Sequence, residues 1–414
     1  MSKSVYTKVG YGMRPKTLKI SPFIIYVIIT FLVYVLPAMK VTIPYVISGT
    51  LMLVFLPVAM LKKKRWLNYA VLLLTLSSWV FFLDILSGGY SLIECINEVI
   101  RNVRFFLPVL WTAYAMEYCD VSLYKQFMVC FIATVGMILF KTINALEQNQ
   151  WITRILAQAK TVDTPEIRAY RLQNVGGFEF SYMMGIVTLC LVWTAIKAKN
   201  KVIRNLSICA AVISFYYIIQ TMYTTLLLLT SIGVLLLVVF SIKNQLIRVV
   251  LSILLCMLPF GMAPFFEFLS GVFTDSLLST KFMQMHNALT GGGAEALGSR
   301  PGYILDALRN WSHSPLIGGY NVGNKAHSVI FATLEKNGLI GLFAFGFMFY
   351  KSWRLLVIHM KVIEIDKLLI NIVFLYVLAL AFLNPVGYVF EVTIAAFFVT
   401  PLWSVLVKNM EGKS

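Results

Sequence analysis

Three features of the sequence predict an all-α polytopic membrane protein with about twelve transmembrane helices. Apolar residues form 59% of the 414 positions and charged residues only 13%, with a mean hydropathy of +0.81. Soluble domains lie nearer about 45–50% apolar and about 25% charged. Apolar runs of about 18–20 residues, each able to cross the hydrocarbon core, recur along the whole chain. The basic residues sit between these runs and hardly ever inside them.

Taken in order, the runs predict spans near 21–39, 43–61, 66–86, 103–118, 126–144, 178–196, 205–223, 224–242, 249–268, 338–357, 368–384 and 388–407. Tyr223 and Thr224 form the tightest joint, because two spans meet there with hardly any turn residues. Connectors such as LKKKRW (61–66), KAKNKVIR (197–204) and KNQLIR (243–248) fall on one side together with both tails. That side holds roughly 22 of the 35 Lys and Arg, which makes it cytoplasmic by the positive-inside rule. The net charge of +17 is thereby explained by topology, and nucleic acid is not an expected partner. The whole of 1–414 reads as one membrane domain, with extracytoplasmic loops at 145–177 and 269–337.

The cysteines fall in or beside apolar runs with no ligand spacing, so they are expected to be buried small apolar residues. No D-x-D, H-E-x-x-H or P-loop pattern occurs, and no metal or cofactor is called for. No G-x-S-x-G supports a serine hydrolase. The basic N-terminus has no small-residue cleavage site after its first apolar run.

What chemistry the chain carries is concentrated in the polar loops. The segment 88–104 places Glu94, Glu98 and Arg101 at helical spacing and reads as an interfacial amphipathic helix; Arg101 and Arg104 could alternatively meet lipid phosphates. The first long loop carries Arg154, Arg168 and Arg171 ahead of Gly176, Gly177 and Glu179. It is either a solvated loop or a receiver for an anion. The second holds Arg300, Tyr303, Arg309, His313 and His327. Residues 326–336 are expected to form a short interfacial helix. Its stripe of His327, Phe331, Leu334, Gly338 and Gly341 would offer a smooth glycine face to another helix, with Glu335 turned toward headgroups. His286 and His313 read as hydrogen-bonding or turn residues, and His359 as part of a basic connector.

Arginine forks bind phosphate oxygens and stay charged, while histidine accepts a proton near neutral pH. Such a set suits deprotonation of a hydroxyl, attack on a sugar carbon and departure of a pyrophosphate.

The same residues carry a resemblance. Arg300-x2-Tyr303, SPLIGGYNVG (314–323), Ala326-His327-Ser328 and Leu334-Glu335-x2-Gly338-Leu339-Ile340-Gly341 together resemble the O-antigen ligase and polymerase superfamily. The earlier Arg171-Leu172-x4-Gly177-Phe178-Glu179 is similar to that family's first outside loop. The resemblance covers about 55 residues of the large loop and, more weakly, 168–182. It implies a multi-spanning (GT-C-like), metal-independent, inverting glycosyltransferase of the bacterial cytoplasmic membrane. The substrate so implied is undecaprenyl-pyrophosphate-linked oligosaccharide, and the partners so implied are a chain-length regulator and a flippase of the same pathway.

In that scheme His327 activates the acceptor hydroxyl and Arg171 and Arg300 hold the donor pyrophosphate, with Arg168, Tyr303 and Glu335 lining the substrate site. The chain departs from the family pattern at Ser328, where Asn is usual, and in QTMYTTLLLLTSIG (220–233), which lacks the family's arginine. A polymerase of repeat units (O-antigen, capsule or exopolysaccharide) is the favoured reading, and a ligase to a terminal acceptor the alternative. A flippase is the reading from another class, but nearly charge-free mid-span segments argue against it.

Overall fold

The computed structural model describes residues 21–43, single positions between 47 and 58, and 64–86, 92–158, 164–274, 277–290, 300–319, 328–357, 366–384 and 389–411. All regular structure among them is helical. In order these are α1 (Pro22–Val35), α2 (Pro37–Thr42), α3 (Lys64–Leu86), α4 (Leu92–Tyr118), α5 (Val121–Gln148), α6 (Ile152–Gln158), α7 (Pro165–Leu172) and α8 (Phe178–Lys197). They continue as α9 (Lys201–Gln220), α10 (Thr224–Ser241), α11 (Gln245–Val272), α12 (Leu277–Thr290), α13 (Arg300–His313), α14 (Val329–Val357) and α15 (Lys367–Leu383). The last helix runs as α16 (Phe390–Ile394), a π turn (Ala395–Val399) and α17 (Thr400–Glu411). Seven helical stretches among the described residues are long and apolar enough to cross a membrane: within α3, α5, α8, α9, α10, α14 and Phe390–Met410. The protein is an all-α membrane protein.

The interior is set by which helices are apolar on every side, since a helix without a polar face must be enclosed. Every residue of the terminal helix window is buried, as is 78% of the α8 window. These two helices pack on each other, and α1, α4 and α15 pack around the last one. Aromatic rings fill the centre: Phe105, Trp111, Phe127, Phe397 and Phe398 are fully buried. α8 also packs against α9 and α10, crossing α10 where Gly233 meets Leu189 and Gly185 meets Thr230. By contrast α9 and α11 turn large apolar side chains outward, among them Leu206, Val212, Leu246 and Leu254. Such a surface suits lipid and not water. Cys209 is exposed on α9, which corrects the expectation that the cysteines are buried; Cys95 and Cys190 do follow it.

Backbone groups freed by interruptions in these helices find hydroxyl partners inside the bundle, as a membrane requires. Pro108 lies within α4 and removes the N–H that would reach the Arg104 carbonyl; the Thr393 hydroxyl of the last helix donates to that carbonyl at 3.5 Å. Thr400 Oγ1 closes the π turn by donating to the Ala395 carbonyl at 2.8 Å.

Two sequence expectations change. The segment 88–104 is not a separate interfacial helix, because from Leu92 onward it is continuous with the span that follows. Arg101 and Arg104 are consequently carried inward on the flank of α4 and are half-buried. The joint before Thr224 is made by three residues, with Met222 at φ 55.

Candidate functional site

The two halves of the large-loop motif are joined by their backbones. α14 is broken at Gly338, whose φ of 62 and ψ of −160 interrupt the helical ladder. The freed groups find new partners in the segment 315–319: Leu339 N donates to Pro315 O at 2.9 Å, Ile340 N to Leu316 O at 3.2 Å, and Gly319 N to Glu335 O at 3.0 Å. Gly318, at φ 76, lies against Lys336 and Gly338, and a Cβ on either glycine would collide with backbone. Gly338 is therefore a clasp point and not part of a smooth helix-packing face, which corrects the sequence reading. Gly341 faces its own helix, where the Asn337 side chain folds over it.

Ser328 holds the start of α14 by two hydrogen bonds. Its hydroxyl accepts from Phe331 N at 3.3 Å, capping the start of α14, and donates to Ala381 O at 3.0 Å. His327, immediately before it, lies outside the described residues, as do residues 320–326 and the side chain of Arg300. Arg300 begins α13, Tyr303 is half-buried on the same helix, and α13 packs against α14. Glu335, expected to face headgroups, is only 4% exposed and accepts from Asn310 Nδ2 of α13 at 2.7 Å. With its neighbours Lys336 and Asn337 it forms three consecutive buried polar residues.

Around the first loop the structure assembles a charged cluster that sequence reasoning missed. Lys40 of α2 bonds Glu179 at 3.2 Å and also Glu391, at the start of the terminal helix. Glu391 is 4% exposed, so its charge depends on this partner. Beside it Asn174, in the left-handed region at φ 60, accepts from the backbone N–H of Ala38 at 3.1 Å. Gly176 N donates to Thr142 Oγ1 at 2.7 Å. The loop is thus pinned to α2 and to α5. Lys40 was legible only as a basic residue beyond the first span, and Glu391 only as a lone acid at the start of the last.

The arginines divide. Arg154 donates to Met222 O at 2.8 Å and stacks near Trp151 and Tyr223, so it staples the α9–α10 joint. It is half-buried against these partners and not a freely solvated loop charge. Arg168 is exposed on α7; Arg171, in its last turn, is half-buried, and α7 packs on α2. The Arg104 guanidinium lies 5.8 Å from the Tyr34 ring, which meets the Phe390 ring at a tilt, 4.7 Å between centroids. His286 Nδ1 donates to Ala263 O at 3.0 Å, the hydrogen-bonding role expected of it.

Compared with known families and curated proteins, the chain matches no family model and no curated protein. One end of the bundle gathers Lys40, Glu179, Glu391, Arg101, Arg104 and the clasped loop, while the helix interiors stay apolar. Charges grouped at one end of a membrane bundle suit recognition of a charged group at the membrane surface.

Proposed function

We propose that the protein is an inverting glycosyltransferase that polymerises oligosaccharide repeat units carried on undecaprenyl pyrophosphate, at the outer face of a bacterial cytoplasmic membrane. The observation that carries this reading is the clasp between residues 315–319 and the break at Gly338. It supports treating the two halves of the loop motif as one unit, with the His327 segment strung between them.

In the proposed reaction His327 takes the proton of the acceptor sugar hydroxyl. The hydroxyl oxygen attacks the anomeric carbon of the donor sugar as the bond from that carbon to the pyrophosphate oxygen breaks. The electron pair leaves with the pyrophosphate, and Arg171 and Arg300 neutralise its charge. Arg168, Tyr303 and Glu335 complete the substrate site, Glu335 through its bond to Asn310 on the helix that Arg300 begins. Twelve spans and cytoplasmic termini belong to this proposal.

Loss of a general base costs about 10²–10⁴ in rate. His327→Ala should accordingly collapse the ladder of polysaccharide chain lengths made by cells to single repeat units while the protein stays in the membrane. An unchanged ladder would remove His327 from the mechanism.

A further inference from the structure

The two loops of the proposed site are carried by helices that meet at a polar joint. On one side, a tight turn ties Arg171 to α8. Asn174 N donates to Arg171 O at 2.9 Å and Val175 N to Tyr170 O at 3.1 Å, and α8 follows at Phe178. On the other side, Ser328, the residue after His327, donates to Ala381 O in the last turn of α15. That carbonyl is one of those that a helix end leaves without an intrahelical partner. The placement of one loop against the other is therefore set in part by the packing of α15 on α8.

At that interface polar groups stand where apolar ones would pack. Asn384, the C-cap of α15, is buried, and its Nδ2 donates to the Tyr182 hydroxyl of α8 at 3.1 Å. The Tyr376 hydroxyl of α15 donates to the Tyr182 carbonyl at 3.4 Å, an approach that Gly185 permits because a Cβ there would collide with that hydroxyl. The Tyr182 ring meets Phe178 edge-on, 4.9 Å between centroids, and Phe178 meets Tyr223 in the same way at 4.8 Å. Asn384 is thus bonded to a ring that packs on the end of the Arg171 loop, and lies within one turn of the carbonyl that holds Ser328. Burying an amide against a phenol costs desolvation, and the bond between them returns little net stability. Leucine and phenylalanine at the two positions would fill similar space without that cost. What the polar pair adds is direction, because a hydrogen bond constrains distance and angle together.

We infer that Asn384 is a positioning residue: it sets the segment that follows His327 against the loop that carries Arg171, and with it the gap between the proton acceptor and the departing pyrophosphate. The inference rests on the glycosyltransferase reading. Asn384 touches no reacting atom. It acts through Tyr182 on the Arg171 side and through the end of α15 on the His327 side. Its loss has a particular signature. Misalignment slows the bond-forming step, whereas carrier binding persists because the arginines keep their own loops.

The test compares three quantities for the full-length protein in phosphatidylcholine liposomes. They are the single-turnover rate of glycosidic bond formation at saturating lipid-linked oligosaccharide, the affinity for undecaprenyl pyrophosphate, and the melting temperature. The double variant Asn384→Leu with Tyr182→Phe removes both partners of the bond together, so melting should stay near that of the wild type. Its rate should fall about 10–100-fold while its affinity for the carrier is unchanged. Tyr182→Phe alone keeps the ring and its packing on Phe178, and should show the same split with a smaller loss; it decides the matter if the double variant does not fold. An unchanged rate, or a rate that falls only in step with affinity or melting, overturns the positioning role while wild-type activity leaves the glycosyltransferase reading standing. A wild type that forms no glycosidic bond overturns both.

Discussion

At the scale of single residues, the cluster around Lys40 carries the sharpest energetic consequence. Glu391 is almost wholly buried, and an ionised carboxylate there is tolerable only while the ammonium answers it. Removing one partner of a fully buried pair costs about 3–5 kcal/mol. Lys40 is a third exposed, so water softens the loss, and Lys40→Met should cost on the order of 2 kcal/mol. Thermal unfolding in detergent would record it. Adding Glu391→Gln to Lys40→Met should restore part of the stability, because the stranded charge is gone. Two independent losses that simply add would mean that the residues do not act as a pair. Neither residue stands out in the sequence: a lysine beyond a span reads as topology, and a single glutamate has no visible partner. Their meaning depends on a contact spanning 351 positions, which no local pattern encodes.

At the scale of elements, the long apolar helices were legible because the bilayer imposes both length and composition. The seven that satisfy both criteria fall on segments where spans were expected. What periodicity could not reveal is where a helix breaks. The stripe through Gly338 assumed an unbroken 3.6-residue repeat, and the left-handed φ of Gly338 ends that repeat. The sequence held a signal of sorts in SPLIGG, a proline and glycine segment that is too specific for a mere linker. Gly338→Ala would strain the backbone by about 1–3 kcal/mol and also push a methyl into the Leu316 carbonyl. Both melting temperature and activity should fall, and Gly318→Ala should act alike. Gly346→Ala, within the same helix with open space at its Cβ, should leave both unchanged. Equal effects at Gly338 and Gly346 would show that the clasp is not what the substitution disturbs. The tight joint before Thr224 is a similar case: its apparent lack of turn residues is made good by Arg154, brought in from another loop.

For the whole molecule, the Lys40–Glu391 cluster and the clasp at Gly338 share one end of an apolar bundle, and the proposed function requires that end to face outside the cell. Reporters inserted after Gly293 and after Lys199 should accordingly read as extracytoplasmic and cytoplasmic. If both read the same, the orientation and the proposed site fail together. The most direct measurement is reconstitution of the purified protein in liposomes with one defined undecaprenyl-pyrophosphate oligosaccharide and no other acceptor. The account predicts a ladder of lengthened glycans, one undecaprenyl pyrophosphate released for each bond formed, and loss of both with His327→Ala. Movement of the intact lipid-linked glycan across the bilayer, without any new glycosidic bond, would contradict it.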